Sequence, residues 1–432
     1  MKVEGFVRYK IKYKNIEELF DLLFAFIIIY FTRSMWSTIP SIHAVNMALY
    51  GLMVVVTVSK LGLSRKSIRA NRIVATVIII FYLLLFAIIR PINIEDYLRV
   101  CITTCLTMIY FSIPSRIGKN GENVFLAYEK IILFITLISL FFWLSGSIIG
   151  IVKPSGIIET SWSGSDTLKK VSTYYYLYFT PQTGNLFSIK GIVRNSSVFV
   201  EAPVASYHLC LALMIELFVK KKQNKLSIIL LCVGVVSAIS MTGYTIAVLA
   251  ISLHVFFSKE DRSIWRVIRV IILPLAALIV GIVLYNILQQ RLGTGSGNTR
   301  IDDFVAGFKA WKDAILFGNG YGNAESYIKY MSSFRYFNRG FSNSPMQILA
   351  YGGIYLFTPY FVGFTVGLFR SIKQRDTLFF FILFLGMFVI TVLPFQPLTV
   401  FVILYFVYFK ATANAKMLTD KNRICANKEK RL

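Results

Sequence analysis

The chain has 432 residues, of which 56% are hydrophobic and only 16% are charged, and its mean hydropathy is +0.65. This composition excludes an ordinary soluble domain and indicates a polytopic membrane protein. The formal net charge of +25 favours either a nucleic-acid partner or basic residues gathered in cytoplasmic loops, and the positions of the charges decide between the two.

Apolar runs of roughly the 20 residues that a spanning helix needs recur along the whole chain. The predicted spans are 16–31, 42–59, 73–89, 98–114, 125–149, 198–219, 226–240, 244–257, 267–288, 346–369, 378–393 and 398–409. The run 226–257 is too long for one span and holds SAISMTGYT in its middle, so we divide it into two short helices. We expect an all-α polytopic membrane protein with about twelve transmembrane helices, in a range of ten to thirteen, forming a single integral membrane domain over 1–432.

The basic residues predict the topology. With the N terminus in the cytoplasm, most lysines and arginines fall in short cytoplasmic segments and in a cytoplasmic C-terminal tail, as the positive-inside rule requires. The charge is then an orientation signal, and we expect membrane lipids and no nucleic acid as partners. Two long segments, 152–197 and 289–345, fall outside, and long loops in compact membrane proteins are commonly functional.

Neither the cysteines nor the glycines predict a cofactor. The five cysteines lie in apolar runs or the tail without metal-ligand spacing, so we expect no metal site and no disulfide framework. The stretch LFGNGYGN at 316–323 contains G-x-G-x-G, but no βαβ pattern surrounds it and no Lys-Ser or Lys-Thr pair follows it. We expect it to be a turn that ends a helix, with glycines that permit tight backbone turns.

The second long segment carries an amphipathic helix and several arginines. Apolar residues recur at helical spacing between 301 and 315, and Arg300 lies at the first turn, where it either helps to hold an anion or pairs with acidic neighbours or lipid headgroups. Arg335 and Arg339 alternate with aromatic residues, which is typical of a membrane-interface belt or of a surface for carbohydrate and phosphate. Asn343 directly precedes the tenth predicted span, where its side chain can face the mouth of a cavity.

The first long segment leads into the sixth predicted span. Arg194 lies just before that span, with Glu201 about one turn inside it and His208 two turns further on roughly the same face. Ionisable groups in a span are functional hypotheses, but Glu201 equally fits pairing with an outer-loop arginine, and His208 fits a hydrogen-bonded packing role. The run STYYYLYF contains tyrosines suited to sugar rings or to the headgroup level: Tyr174, Tyr175, Tyr176 and Tyr178.

Taken in order, RNSSVFVEAP, SMTGYT, NTRIDDFVAGFKAWKDAILFGNGYGN and SNSPMQILAYGGIYL resemble the O-antigen polymerase and ligase superfamily. The resemblance implies a GT-C-like fold in the bacterial cytoplasmic (inner) membrane. It also implies transfer of a glycan from undecaprenyl pyrophosphate to an acceptor sugar at the outer face, without cofactor or metal. By this resemblance Arg194 and Arg300 bind the pyrophosphate. We add Arg335 and Arg339 to that set, and Tyr321 to the glycan-binding residues with the tyrosines at 174–176 and His208.

One departure from the family pattern favours a polymerase of O-antigen or capsular polysaccharide over a ligase. Ligases of the superfamily carry a histidine before the asparagine that corresponds to Asn343, whereas Ser342 stands there in this chain. Glu201 and Asn343 are the candidate catalytic residues; Glu201 fits a general base as well as it fits an anchor. The alternatives are a ligase acting on a lipid core, or a polysaccharide flippase or other transporter, and the resemblance implies a chain-length regulator and a flippase as partners.

Overall fold

The computed structural model describes residues 2–39, 42–64, 67–115, 121–160, 169–186, 189–257, 295–335, 339–391 and 393–408, and these are mostly helical. The helices are α1 (Lys2–Phe31), α2 (His43–Leu63), α3 (Ala70–Ile89), α4 (Ile94–Ser112), α5 (Glu122–Phe142), α6 (Ala202–Met214), α7 (Lys225–Ser237), α8 (Met241–Phe257), α9 (Gly295–Asp313), α10 (Glu325–Ile328), α11 (Ser344–Ser371), α12 (Arg375–Ile390) and α13 (Pro397–Tyr408). Two of them continue as π-helical turns, α5 through Trp143–Ile148 and α6 through Ile215–Val219.

Each predicted span inside the described residues overlaps a helix, although α1 extends back to Lys2, and the span 267–288 lies outside the described residues. Among the described residues, five helices are long and apolar enough to cross a membrane: His43–Leu63, Ala70–Ile89, Glu122–Ile148, Ala202–Val219 and Ser344–Ser371. The chain therefore has the structure of a mostly helical membrane protein, while the number of twelve spans stays a prediction. The division of 226–257 into two helices is confirmed by α7 and α8.

The α6 helix lies at the centre of the helical packing. In its candidate span 89% of the residues are buried, against 11% to 22% in the other four. A helix that is apolar on all sides is stable only when other helices cover it, and α5, α7 and α8 pack around α6. The start of α6 therefore meets several helix ends, which makes it a place where loop residues converge.

The first long segment contains β-strands, which the all-α prediction did not include. It contains β1 (Gly156–Thr160), β2 (Lys169–Tyr174) and β3 (Tyr178–Thr180) in one antiparallel sheet, and β4 (Thr183–Leu186) paired with β5 (Ile189–Val193). Val171 and Thr173 of β2 point into the protein, whereas Lys169 and Lys170 are exposed. The strands are too short for their alternation to stand out in a chain whose polar segments are brief.

The α6 helix begins later than the sixth predicted span, which was placed at 198–219. Residues 198–200 precede the helix and pair with the segment after α1 through an isolated antiparallel bridge: Met35 N–H donates to the Val198 carbonyl (2.7 Å) and Val200 N–H to the Arg33 carbonyl (3.1 Å). Because Pro203 lies in the first turn, where its fixed φ suits a helix start, the helix begins at Ala202. The placement of Glu201 one turn inside the span was therefore wrong, since Glu201 immediately precedes the helix.

The glycines of LFGNGYGN lie against an interruption in α11. Gly353 has φ of 57°, so α11 consists of two helical parts joined by a kink. Around the kink, Ile354 and Tyr355 donate backbone hydrogen bonds to carbonyls of residues 315 and 316, and the carbonyls of 350 and 351 accept from the amides of 319 and 320, all at 2.9 to 3.0 Å. The prediction of a turn with tight glycine conformations is confirmed, and the turn also supplies partners for a broken helix.

We expect Gly318→Ala to destabilise the fold strongly. Gly318 has φ of 60°, and a Cβ there would lie 2.4 Å from the backbone of Tyr351 and Gly352. The left-handed conformation alone costs a non-glycine residue about 1–2 kcal/mol, and the backbone clash adds to it. Thermal unfolding of the purified protein in detergent measures the loss. Gly386→Ala is the control, because nothing lies within 4 Å of a Cβ at that site in α12; equal melting temperatures of the two variants would contradict the prediction.

Candidate functional site

Two predicted site arginines, distant in sequence, reach the same turn. The α7–α8 turn, residues 237–242, joins two helices of 13 and 17 residues. Arg194 Nε donates to the carbonyl of Ala238 at 3.2 Å, and Arg300 Nη2, from α9, donates to Thr242 Oγ1 at 3.0 Å. Arg194 and Arg300, both predicted to bind the pyrophosphate, therefore contact the same turn.

The small residues of SMTGYT allow this turn to lie close to α6. A Cβ added at Gly243 would lie 1.7 Å from Ser206 Oγ of α6, so only glycine permits the approach. The turn itself contains Ile239 with φ of 48°, a conformation that non-glycine residues rarely adopt. Close packing on α6 fixes the turn that both arginines contact.

Asn195 and Gln182 hold the backbone of Arg194 in place. Asn195 is buried; its N–H donates to the Ser237 carbonyl (3.0 Å) and its Nδ2 to Ser237 Oγ (2.9 Å). The Gln182 carbonyl accepts from Arg194 N–H (3.1 Å), and Gln182 Oε1 accepts from Ala202 N–H at the start of α6 (3.1 Å). Sequence reasoning missed both residues, because only the fold shows which polar side chains in the loop have backbone partners.

Glu201 pairs with Arg33, a residue that the sequence analysis did not single out. Arg33 Nη2 lies 3.1 Å from Glu201 Oε1, and the two side chains are 20% and 25% exposed. The sequence allowed two roles for Glu201, pairing with an outer-loop arginine and action as a general base. The contact with Arg33 is the first of these. In the sequence, Arg33 stands out only as an arginine just after the first apolar run. No local pattern links it to Glu201.

Backbone strain marks the same part of the molecule. Arg33 and Ser197 have φ of 51° and 53°, and Ile239 of the α7–α8 turn has 48°. Each such non-glycine conformation costs about 1–3 kcal/mol and persists only where the surroundings determine it, commonly at functional sites. The strain therefore supports the start of α6 and the α7–α8 turn as the candidate site.

Arg335, predicted to bind the pyrophosphate, pairs with two aspartates of the protein. It is 2% exposed, with Nη1 2.7 Å from Asp303 and 3.4 Å from Asp302 of α9, and it also donates to the Thr299 carbonyl at 3.1 Å. The alternative prediction that Arg300 pairs with its acidic neighbours is not what the structure shows for these two aspartates, which pair with Arg335. Burial raises the pKa of Asp303, and hydrogen bonds from Ser342 and Arg335 oppose that rise. Arg335 thus ties α9 to the loop that follows it, while Arg339 lies exposed.

Asn343 and His208 both have hydrogen-bond partners within the protein. Asn343 precedes α11, and its Oδ1 accepts from Met346 N–H at 3.0 Å, so it caps that helix. His208 is fully buried in α6, 2.7 Å from the Tyr128 hydroxyl, with its ring stacked on Phe199 at 4.0 Å. These contacts fit the packing role that the sequence left open for His208.

The tyrosines divide into packed and exposed groups. Tyr321 packs against Tyr97, with ring centroids 5.3 Å apart, and against Phe395 at 5.1 Å, and burial raises the pKa of its hydroxyl. Tyr174 is 4% exposed, whereas Tyr175 and Tyr176 are exposed at the tip of the β2–β3 hairpin. The structure does not gather the predicted glycan-binding residues in one place.

The chemistry available at the α7–α8 turn is that of anion binding. Two guanidinium groups, which carry several N–H donors in fixed geometry, suit phosphate oxygens. Within the described part of the chain, no three His, Cys, Asp or Glu side chains are grouped so that they could hold a metal ion. No protein-family model, curated protein or solved structure matches the chain, so only its own residues indicate its function.

We expect Arg335→Ala to unfold the second long segment, because it leaves two buried carboxylates without their cation. Removing one partner of a buried ion pair costs about 3–5 kcal/mol. Arg339→Ala is the matched control from the same loop; an exposed substitution changes stability by only about 0.5 kcal/mol. The melting temperatures of both variants in detergent decide the matter, and an Arg335→Ala protein as stable as the Arg339→Ala protein would show that Arg335 is not the anchor.

Proposed function

We propose that the protein is a glycosyltransferase that polymerises oligosaccharide repeat units carried on undecaprenyl pyrophosphate. The reaction takes place at the outer face of the bacterial cytoplasmic membrane and yields O-antigen or capsular polysaccharide. The observation that carries the proposal is the contact of both Arg194 and Arg300 with the α7–α8 turn. Three of the motifs that resemble the O-antigen polymerase and ligase superfamily, those that begin at Arg194, Ser240 and Asn298, contribute residues to this contact.

The charge on the departing group explains why two arginines are needed. When the sugar leaves its lipid pyrophosphate, negative charge develops on the phosphate oxygens, and fixed guanidinium groups stabilise it. The α7–α8 turn lies at the ends of two short apolar helices, where a lipid-linked substrate would carry its pyrophosphate beside the membrane. The Ala238 carbonyl and Thr242 Oγ1 accept from the guanidinium groups of Arg194 and Arg300, so both groups are already oriented at the turn when the charge forms.

One further residue takes part in the proposed reaction, and another favours a polymerase over a ligase. Glu201 is the candidate acceptor of the proton from the attacking hydroxyl, and its pairing with Arg33 keeps the carboxylate oriented at the start of α6. Ser342 stands where ligases of the superfamily carry histidine, and its hydroxyl donates to Asp303 at 2.5 Å, beside its N–H at 2.9 Å. This position is thus occupied by a structural contact, which favours a polymerase. A chain-length regulator and a flippase remain the proposed partners.

Deleting the gene from its host tests the reaction class. A polymerase deletion should leave single repeat units on the lipid core or carrier, seen as loss of the polymer ladder on a gel. Polymer that is made but no longer attached would indicate a ligase instead, and glycan retained at the inner face would indicate a flippase. The deletion strain then serves as the host for the variants.

We expect Arg194→Ala and Arg300→Ala each to lower polymer formation by about 10²–10³-fold, the effect of removing one donor to a developing anion. Both variants should be present in the membrane at the normal level. Arg99→Ala is the control, because Arg99 lies on the surface of α4 and pairs with Glu95 and Asp96 of the same helix. Long chains made by both site variants would refute the pyrophosphate assignment.

A further inference from the structure

The hairpin between β2 and β3 ends in a turn whose residues do not suit its backbone. Tyr175 and Tyr176, the two central residues, have φ of 53° and 59°, and Leu177 N–H donates to the Tyr174 carbonyl at 3.0 Å. Positive φ at both central positions is typical of a type I′ turn, which favours Asn-Gly. Two tyrosines occupy these positions against that preference, and such strained residues are common where the side chains have a functional role.

The surroundings hold the backbone of this turn and leave its side chains outside. Tyr175 N–H donates to Ser155 Oγ (2.6 Å), Tyr176 N–H to Thr173 Oγ1 (3.0 Å), and Trp36 Nε1 to the Tyr176 carbonyl (2.7 Å). The side chains of the tip are 65%, 52% and 42% exposed at Tyr175, Tyr176 and Leu177. The hairpin therefore presents a rigid apolar tip.

This tip lies beside the end of a candidate membrane span. The span Glu122–Ile148 has 27 residues, about 40 Å of helix at 1.5 Å per residue, which exceeds the roughly 30 Å of a hydrocarbon core. Near its end, Phe142 lies 6.2 Å from the Tyr175 ring, and a Cβ at Gly146 would lie 2.5 Å from the ring of Tyr174. The tip is therefore at the depth where the span leaves the hydrocarbon.

The span Glu122–Ile148 has an exposed apolar face that continues to the end of the helix beside the tip. Large exposed side chains recur at helical spacing along it: Phe134, Leu137, Phe141, Leu144 and Ile148. The other end of the hairpin is polar, with Lys169 and Lys170 exposed and Lys170 3.8 Å from Glu159. With about 3.3 Å per residue, the six residues of β2 place this basic end roughly 20 Å from the aromatic tip.

We propose that Tyr175, Tyr176 and Leu177 insert into the headgroup and acyl boundary of the lipid bilayer and anchor the β1–β3 sheet there. Tyrosine is enriched at that boundary because its ring is apolar and its hydroxyl is polar. The sheet is joined to the candidate site, since Phe179 N–H donates to the Ser197 carbonyl at 3.0 Å. The anchor thus fixes the height of the segment that carries Arg194 above the membrane. The inference stands independently of the proposed reaction.

Spin labels at the two ends of the hairpin test the anchor. A nitroxide is attached to Tyr176→Cys or, as the matched control, to Lys170→Cys in a cysteine-free chain reconstituted in phosphatidylethanolamine and phosphatidylglycerol vesicles. We expect the label at 176 to collide more with oxygen than with a water-soluble nickel complex, and the label at 170 to show the reverse order. A nickel-accessible label at 176 overturns the proposal, and so does a label that added oligosaccharide shields from nickel, which would make the tip a glycan surface.

Loss of the tyrosines should release the tip. Tyr175→Asn with Tyr176→Gly suits the turn and so preserves the hairpin while removing both rings. A label at Leu177→Cys should be shielded from nickel in the otherwise unchanged chain and become accessible in the double variant. An unchanged accessibility would show that the tyrosines do not anchor the sheet. If the cysteine-free chain fails to fold, the same cysteines are introduced into the chain that keeps its five native cysteines. Labelling by a membrane-impermeant maleimide, less that of the unchanged chain, then gives the same comparison.

Discussion

Backbone N–H and C=O groups in apolar surroundings need hydrogen-bond partners. This requirement determines the structure at two places, the kink in α11 and the segment before α6. An unpaired N–H or C=O away from water costs several kcal/mol. At the Gly353 kink in α11, the backbone of residues 315–320 supplies those partners. Before α6, residues 198–200 and 33–35 satisfy one another through an isolated antiparallel bridge between Ser34 and Phe199 and two backbone hydrogen bonds. Both interruptions of helical structure are therefore stable because a second segment lies against them.

These two interruptions place the arginines. The first fixes the C-terminal end of α9 through LFGNGYGN, and the Arg335 contacts with Asp302 and Asp303 fix its N-terminal half, so Arg300 is held from both sides. The second sets the start of α6, and Arg194 just before it is tied to the α7–α8 turn through Asn195. Positive φ at Arg33, which would cost a free chain energy, is kept where these segments meet.

The lengths of the apolar runs predicted the helices well, because a helix needs a long apolar run whether it is buried in lipid or in a core of other helices. The division of the run 226–257 at SAISMTGYT and the glycine turn at 316–323 could also be predicted, since local backbone preferences determine them. The strands in 152–197 were not, because they are short and the Tyr-Tyr turn contradicts local preference. Arg33 with Glu201, and Arg335 rather than Arg300 with Asp302 and Asp303, are long-range pairings that no local pattern specifies.

The central claim is that Arg194 and Arg300 act on one anion, and a double-mutant cycle tests it most directly. The affinity for undecaprenyl pyrophosphate would be measured with the protein in nanodiscs for the unchanged chain, Arg194→Gln, Arg300→Gln and the double variant. Residues that share a partner show a coupling energy of about 0.5–3 kcal/mol, so the double variant should lose less affinity than the sum of the single losses. Strictly additive losses, or unchanged affinity in either single variant, would contradict the shared site.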